Sequence, residues 1–335
     1  MSVALPERPT EKARRESAGT KPVAWQGLTV RVPTDWDVTG FSGDAKEGYL
    51  RIDDGDTGSL ELKWATHGLR EKAEPDPEVR AESYLLTLQK AAKKKKLGFE
   101  SRVGAALKGV VRPERLVSGF TWSGDRKAVG TVVYCRTSRR IVIAQVVGSG
   151  DGRAPGRRAE EILKTLECFD AESGWRRWAL YDLDVTLPAD FALTTPQVMN
   201  VYVKLGFVRK AEKLTVEQWS VADVARRGAF LDTWLCMNSR GELRGMKTTA
   251  EETQVREHGG VTLTGRPEFG MPMLESFKTA AKNFHAPALR FSAVGWECEP
   301  GNKIYLVQHT RPRKALERAS EIARRLACHV VEARP

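Results

Sequence analysis

The chain has no apolar run approaching the roughly 18 residues that a bilayer crossing takes. Its first residues, Met1 to Pro9, hold no apolar core and no small-residue cleavage site, so no secretory leader is expected and the expected location is the cytoplasm. Short catalytic signatures are missing as well. There is no GxSxG, no HExxH and no phosphate loop ending in Gly-Lys-Ser/Thr. Histidine is scarce: the five residues His67, His258, His285, His309 and His329 show no spacing to a nucleophile. A non-enzyme without a cofactor is therefore the expectation.

What is present bounds the chain to two domains of ordinary size. It has 335 residues, 41% hydrophobic and 29% charged, as a globular protein does. The net charge of +11 is shared by both halves, so neither half is a dedicated basic domain. Lys93, Lys94, Lys95 and Lys96 end a predicted helix, and Arg157 and Arg158 open another after Gly148-Ser-Gly-Asp-Gly152. These are the candidate polyanion contacts, the competing reading being a solvated helix end and a flexible loop.

The chain also repeats itself. Glu161-Ile-Leu-Lys-Thr-Leu-Glu-Cys168 returns as Glu321-Ile-Ala-Arg-Arg-Leu-Ala-Cys328. Gln145 follows Cys135 by ten residues, and Gln308 follows Cys298 by ten. Pro33 and Trp64 are matched by Pro188 and Trp219 at the same separation. Three coincidences in one order point to duplication.

The order of elements follows. Residues 1–20 read as a disordered arm, 21–172 as a first domain and 175–332 as a second. Alternation predicts strands at 28–33, 48–52, 59–64, 103–111, 116–122, 129–135 and 141–147, with helices at 78–95 and 156–167. The second half repeats the series, with helices at 222–237 and 314–327. The predicted fold class is α+β: in each copy an antiparallel sheet covered by helices. Val30-Arg31-Val32-Pro33-Thr34-Asp35-Trp36 and Val185-Thr186-Leu187-Pro188-Ala189-Asp190-Phe191, with the hairpins and the closing helix, resemble the Mog1/PsbP-like fold. That resemblance covers most of each half and implies a binding or assembly factor with no catalytic residues to carry over. The expected partner is another protein docking on the paired sheets; the alternative is nucleic acid or the ribosome, met by the basic residues above.

Four of the five cysteines fall at equivalent places: Cys135 and Cys298 in a late strand, Cys168 and Cys328 after the last helix. They are candidates for two intradomain disulfides, each closing a loop of about 30 residues worth roughly 3 kcal/mol. Buried reduced thiols are the alternative, with metal or catalytic thiols behind both. A zinc quartet can be drawn from Cys298, His309, Cys328 and His329, but its counterparts in the first copy are Cys135, Val146, Cys168 and Phe169. With no CxxC element either, the sequence gives no reason to expect a metal.

Overall fold

A computed structural model describes residues 19–56, 58–68, 73–104, 107–148, 155–169, 174–199, 201–268 and 289–329. Residues 1–18 of the expected arm and 149–154 of the glycine loop lie outside these. The chain divides into two units, Met1–Asp170 with Ala179–Tyr181, and Ala171–Trp178 with Asp182–Pro335.

The first unit opens with a hairpin of β1 (Thr20–Trp25) and β2 (Leu28–Pro33), whose turn places Gln26 at φ 53° and Gly27 at φ 79°. Then come β3 (Asp37–Gly43), β4 (Glu47–Asp53), β5 (Gly58–Thr66), α1 (Pro77–Lys94), β6 (Glu100–Gly104), β7 (Arg115–Ser123), β8 (Lys127–Cys135), β9 (Arg140–Gly148) and α2 (Gly156–Leu163). Strands β3 to β9 form one antiparallel sheet in the order β3-β4-β5-β9-β8-β7-β6. Helix α1 starts where Asp76 accepts a hydrogen bond from the Glu78 amide at 2.8 Å and Pro77 fixes the first turn. It lays Ala81, Tyr84 and Leu85 on Phe120 and Val132. Val79, in the first turn of the same helix, is exposed.

The second unit contains β11 (Leu183–Pro188), β12 (Ala192–Met199), β13 (Tyr202–Arg209), β14 (Glu212–Ser220), α3 (Ala222–Arg226), α4 (Leu231–Asn238), β15 (Met246–Val255), β16 (His258–Pro267), β17 (Leu289–Cys298), β18 (Lys303–Pro312), α5 (Ala319–Arg324) and β19 (Leu326–Ala327). The strand between the units, β10 (Trp175–Leu180), is shared by the division. The second sheet runs β12-β13-β14-β18-β17-β16-β15, the same order position for position as the first. Registers agree too: Cys135 pairs with Arg140 as Cys298 pairs with Lys303, and Phe120 faces Gly130 as Leu263 faces Ala293. The bridge Thr29 to Glu167 in one unit is matched by Asp184 to Ala327 in the other.

The helix-covered α+β layer expected from the sequence is wrong. The protein is mostly antiparallel sheet, 54% strand against 16% helix. Two physical causes stand out. Three segments for which alternation gives no strand, Thr20–Trp25, Asp37–Gly43 and Ala192–Met199, are strands. The predicted helix at 222–237 is cut into α3 and α4 by Arg227 and Gly228, both at positive φ (51° and 75°). The last helix is only six residues long and gives way to β19.

One landmark of the duplication is also out of register. Glu61 pairs with Gln145 and Thr215 with Gln308, so the counterpart of Trp64 is Gln218, not Trp219. A one-residue slip reverses the face of a strand. Trp64 is buried, its Nε1 donating to the Asp44 carbonyl at 2.8 Å, whereas Trp219 turns to the helix side and packs on Trp234 at 4.7 Å.

Candidate metal centre

Three separate segments of the second unit meet at one end of its sheet. Strands β16 and β17 pair antiparallel, with Gly260 opposite Trp296, and extending that register by two residues sets the start of β16, His258, against the end of β17, Cys298. His258 stands at the start of β16 because the hairpin from β15 turns tightly at Arg256, which holds φ 54°. Cys298 ends β17. The third segment arrives through β19, which pairs Leu326 with Val185 and so carries Cys328 and His329 in beside them. Arg256 Nη1 donates to the Leu326 carbonyl at 3.1 Å, which ties the hairpin turn to this segment.

The donor atoms of His258, Cys298, Cys328 and His329 all lie within 4.8 Å of one another. Cys328 Sγ is 3.2 Å from His258 Nε2 and 3.3 Å from His329 Nδ1, and Cys298 Sγ is 3.3 Å from the same Nδ1. A tetrahedral zinc ion with Zn–S near 2.3 Å and Zn–N near 2.0–2.1 Å sets its donors roughly 3.3–3.8 Å apart. The three sulfur–nitrogen separations lie at the short end of that range, and the set as a whole closes onto such a cage with small side-chain shifts. His258, Cys298 and Cys328 are buried and His329 is partly exposed.

The surroundings orient the donors. His329 turns its other nitrogen, Nε2, onto Glu257 Oε1 at 2.8 Å, the arrangement that fixes the ring and leaves Nδ1 free to ligate. Tyr305, stacked on Trp296 at 5.2 Å, donates its hydroxyl to the Cys328 carbonyl at 3.3 Å and holds the segment in place. Burial pushes the Cys328 thiol up, and burial with the neighbouring His329 pushes His258 down. Two thiolates and two neutral imidazoles would exactly neutralise a divalent cation, which removes the burial penalty of each thiolate.

The sequence quartet named three of these four residues and one wrong one. His309 is fully buried elsewhere, on β18, with Nε2 on Glu212 at 3.1 Å and Nδ1 accepting from the Arg318 amide at 3.3 Å. Both its nitrogens are occupied, so it is not a ligand. His258 was missed because it lies 40 residues before Cys298, the nearer of the two ligand cysteines in sequence; only the β16–β17 register brings it in.

The disulfide candidates divide into the expected pairs, but as thiols: all five cysteines are free. Cys298 and Cys328 sit in the cage above. Cys135 and Cys168 touch through a thiol hydrogen bond, and both are fully buried. Across from Cys135, at the place that His258 holds in the second unit, stands Arg115. Its guanidinium is buried and pairs with Glu167, as does that of Arg112. A guanidinium has no lone pair to offer a metal. Of the polyanion candidates, Arg157 pairs with Glu161 at 2.8 Å and Arg158 lies over the Trp36 ring at 5.9 Å. Lys93 and Lys94 occupy the last turn of α1, with Lys95 and Lys96 just beyond it, and all four complement the helix dipole.

Among the described residues, no helix is long and apolar enough to cross a membrane. No protein-family model matches the chain, and no curated protein matches it in sequence.

Proposed function

We propose that this protein holds one structural zinc ion in its second unit, ligated by His258 Nε2, Cys298 Sγ, Cys328 Sγ and His329 Nδ1, and that it works by binding and not by catalysis. The observation that carries the reading is the convergence of those four donors within 4.8 Å, from a hairpin, a strand end and the closing segment of the unit. Two sulfurs and two nitrogens select zinc among the common divalent ions, since oxygen-seeking calcium and magnesium have no ligand there. Four protein ligands close the coordination sphere. A catalytic zinc keeps a position open for water, so this set favours a staple over an active site.

In this reading the metal fixes the closing segment, Leu326 to His329, onto the end of the sheet. That segment carries only a two-residue strand, β19, beyond the six-residue α5. So little hydrogen bonding leaves the segment dependent on its cross-link. The first unit has no such cage, because Arg115 and Phe169 stand where the two histidines stand in the second. One metal per chain is therefore expected, not two.

The test is elemental analysis of the native full-length protein together with cobalt substitution. The expected result is one zinc per chain, replaceable by cobalt with thiolate-to-metal charge-transfer absorption and the intense ligand-field bands of a tetrahedral site. A chain that carries no zinc and gives only the weak bands of octahedral cobalt overturns the proposal.

A further inference from the structure

The same framework that builds the metal cage in the second unit is present in the first with two of its four corners exchanged. Where the second unit has His258, Cys298, Cys328 and His329, the first has Arg115, Cys135, Cys168 and Phe169. The equivalence rests on strand pairing: Arg115 faces Cys135 in β7–β8 as His258 faces Cys298 in β16–β17, and the Thr29–Glu167 bridge delivers Cys168 as the Asp184–Ala327 pair delivers Cys328. Neither a guanidinium nor a phenyl ring can ligate a metal. The two sulfurs remain side by side, each with no exposed surface, and no other cysteine lies in that unit.

The surroundings of the pair are those of a thiolate beside a thiol. The neighbouring Cys168 thiol and the backbone amides of Ser138 and Thr137 hold Cys135 down to about 5 against its burial. Cys168 is correspondingly raised, by its contact with Cys135 and by burial. Arg115 supplies a fixed positive charge that acts on Cys168. Its side chain is wholly buried, and only Nη2 among its guanidinium nitrogens has a hydrogen-bond partner, on Glu167. The cation that zinc supplies in one unit is supplied in the other by an arginine that cannot be lost.

We propose that Cys135 and Cys168 are a redox pair that closes into an intradomain disulfide, so that the two units tie down their closing segments by different chemistry, disulfide in the first and zinc in the second. The oxidant is a low-molecular-weight disulfide, RSSR. Both sulfurs are sealed in the folded unit, so the exchange runs while the closing segment is undocked, as during refolding: the Cys135 thiolate attacks one sulfur, forming a mixed disulfide and releasing RS⁻. Cys168 gives its proton to that RS⁻, its sulfur attacks Cys135, and the second RS⁻ leaves and takes a proton from solvent. The sum is two protein thiols and RSSR giving one protein disulfide and two RSH, with two electrons passing to the small molecule. The bond would join the end of β8 to the segment after α2. That segment otherwise meets the β1–β2 hairpin at the Thr29–Glu167 bridge and where the Arg31 amide donates to Thr165 Oγ1 at 2.9 Å.

The contrast with the second unit rests on the zinc reading, and the experiment separates the two. Full-length protein, loaded with zinc, is refolded and equilibrated in glutathione buffers from reducing to oxidising, quenched in acid, alkylated and mapped by mass spectrometry. Zinc is measured on the same samples. The expected result is a cross-linked peptide pair carrying Cys135 and Cys168, with Cys298 and Cys328 recovered as alkylated thiols and zinc retained. Cys168→Ser should instead leave Cys135 as a mixed disulfide with glutathione. Full alkylation of both Cys135 and Cys168 in wild type at the most oxidising setting overturns the redox pair, whatever the zinc content. If Cys298 and Cys328 cross-link as well, in protein that holds no zinc, the zinc reading fails while the redox pair stands.

Discussion

Arg115 of the first unit and His258 of the second occupy one position in one framework, each directly across the sheet from the cysteine that ends the next strand. Duplication delivered two cysteines to the same place twice, and this opposing residue, with the one that follows the second cysteine, decides what they can do. An imidazole completes a metal cage; a guanidinium excludes one. Glu167, which neutralises Arg115 from the residue before Cys168, has Ala327 as its counterpart, so the salt bridge exists only where the arginine does.

Exchanging that residue should exchange the chemistry. The double variant Arg115→His, Phe169→His is expected to raise zinc content from one to two per chain, by elemental analysis of dialysed protein. Arg115→Leu with Phe169 unchanged keeps it at one. A double variant that folds and still carries a single zinc would show that the two pockets differ in more than these corners.

Removing a sulfur from the cage should remove the metal and the stability it contributes. Cys298→Ser is expected to lose zinc and to melt at a temperature indifferent to chelators, whereas wild type is lowered by them. At free zinc a thousandfold above its dissociation constant, the linked stabilisation is about 4 kcal/mol. Calorimetry with and without chelator reads both.

Glu257 is a positioning residue, and its role is separable from the fold because its side chain is 55% exposed. Glu257→Gln should leave the melting temperature of the zinc-saturated protein near wild type while weakening zinc about 10- to 100-fold in competition with a chromophoric chelator. Glu257→Asp should recover part of the loss. Unchanged affinity in both variants would mean that the carboxylate does not orient His329.

His309 should behave as a buried structural imidazole. Burial lowers its pKa, against the opposing pull of Glu212 and Glu317 and with Arg311 adding to the decrease. Arg209, on the far side of Glu212, and the Phe191 ring complete its surroundings. A basic group whose folded pKa is depressed takes up protons more readily in the unfolded chain. Its contribution is complete above the unfolded value of about 6.5 and is lost as pH falls below it. Acid should therefore destabilise wild type from about pH 6.5 downward, and His309→Gln should flatten that slope. The same variant should cost about 1–3 kcal/mol at neutral pH, since the Glu212 carboxylate loses a donor, and should leave zinc content at one. Urea titrations across pH measure the slope.

Much of the architecture was legible in the residues, and the site only partly so. Alternation marked β2, β5, β8 and β9, and the Asp76-Pro77 start marked α1. Strands β1, β3 and β12 escaped because Pro22, Gly40, Gly43 and Pro196 break the alternation; β3 and β12 lie at sheet edges, which tolerate such residues, and β1 pairs with β2 along its whole length. The turn at Arg227-Gly228 was hidden within a continuous helical pattern. The paired landmarks of Trp64 and Trp219 matched in spacing while pointing to opposite faces, because one residue was lost between the copies. At the cage, comparison of the copies argued against zinc through His309 and His329, whose counterparts are Val146 and Phe169; only the His329 half of that argument bears on the cage. His258 carried no local signal. Its only mark is the register that seats the first residue of one strand opposite the last residue of the next.

The central claim is tested most directly by X-ray absorption at the zinc edge on the native full-length protein. The account predicts a shell of two sulfurs at about 2.3 Å and two nitrogens at about 2.0–2.1 Å. That shell should change to a single sulfur in any zinc retained by Cys298→Ser. A native protein without zinc, or with zinc surrounded by oxygen alone, would contradict it.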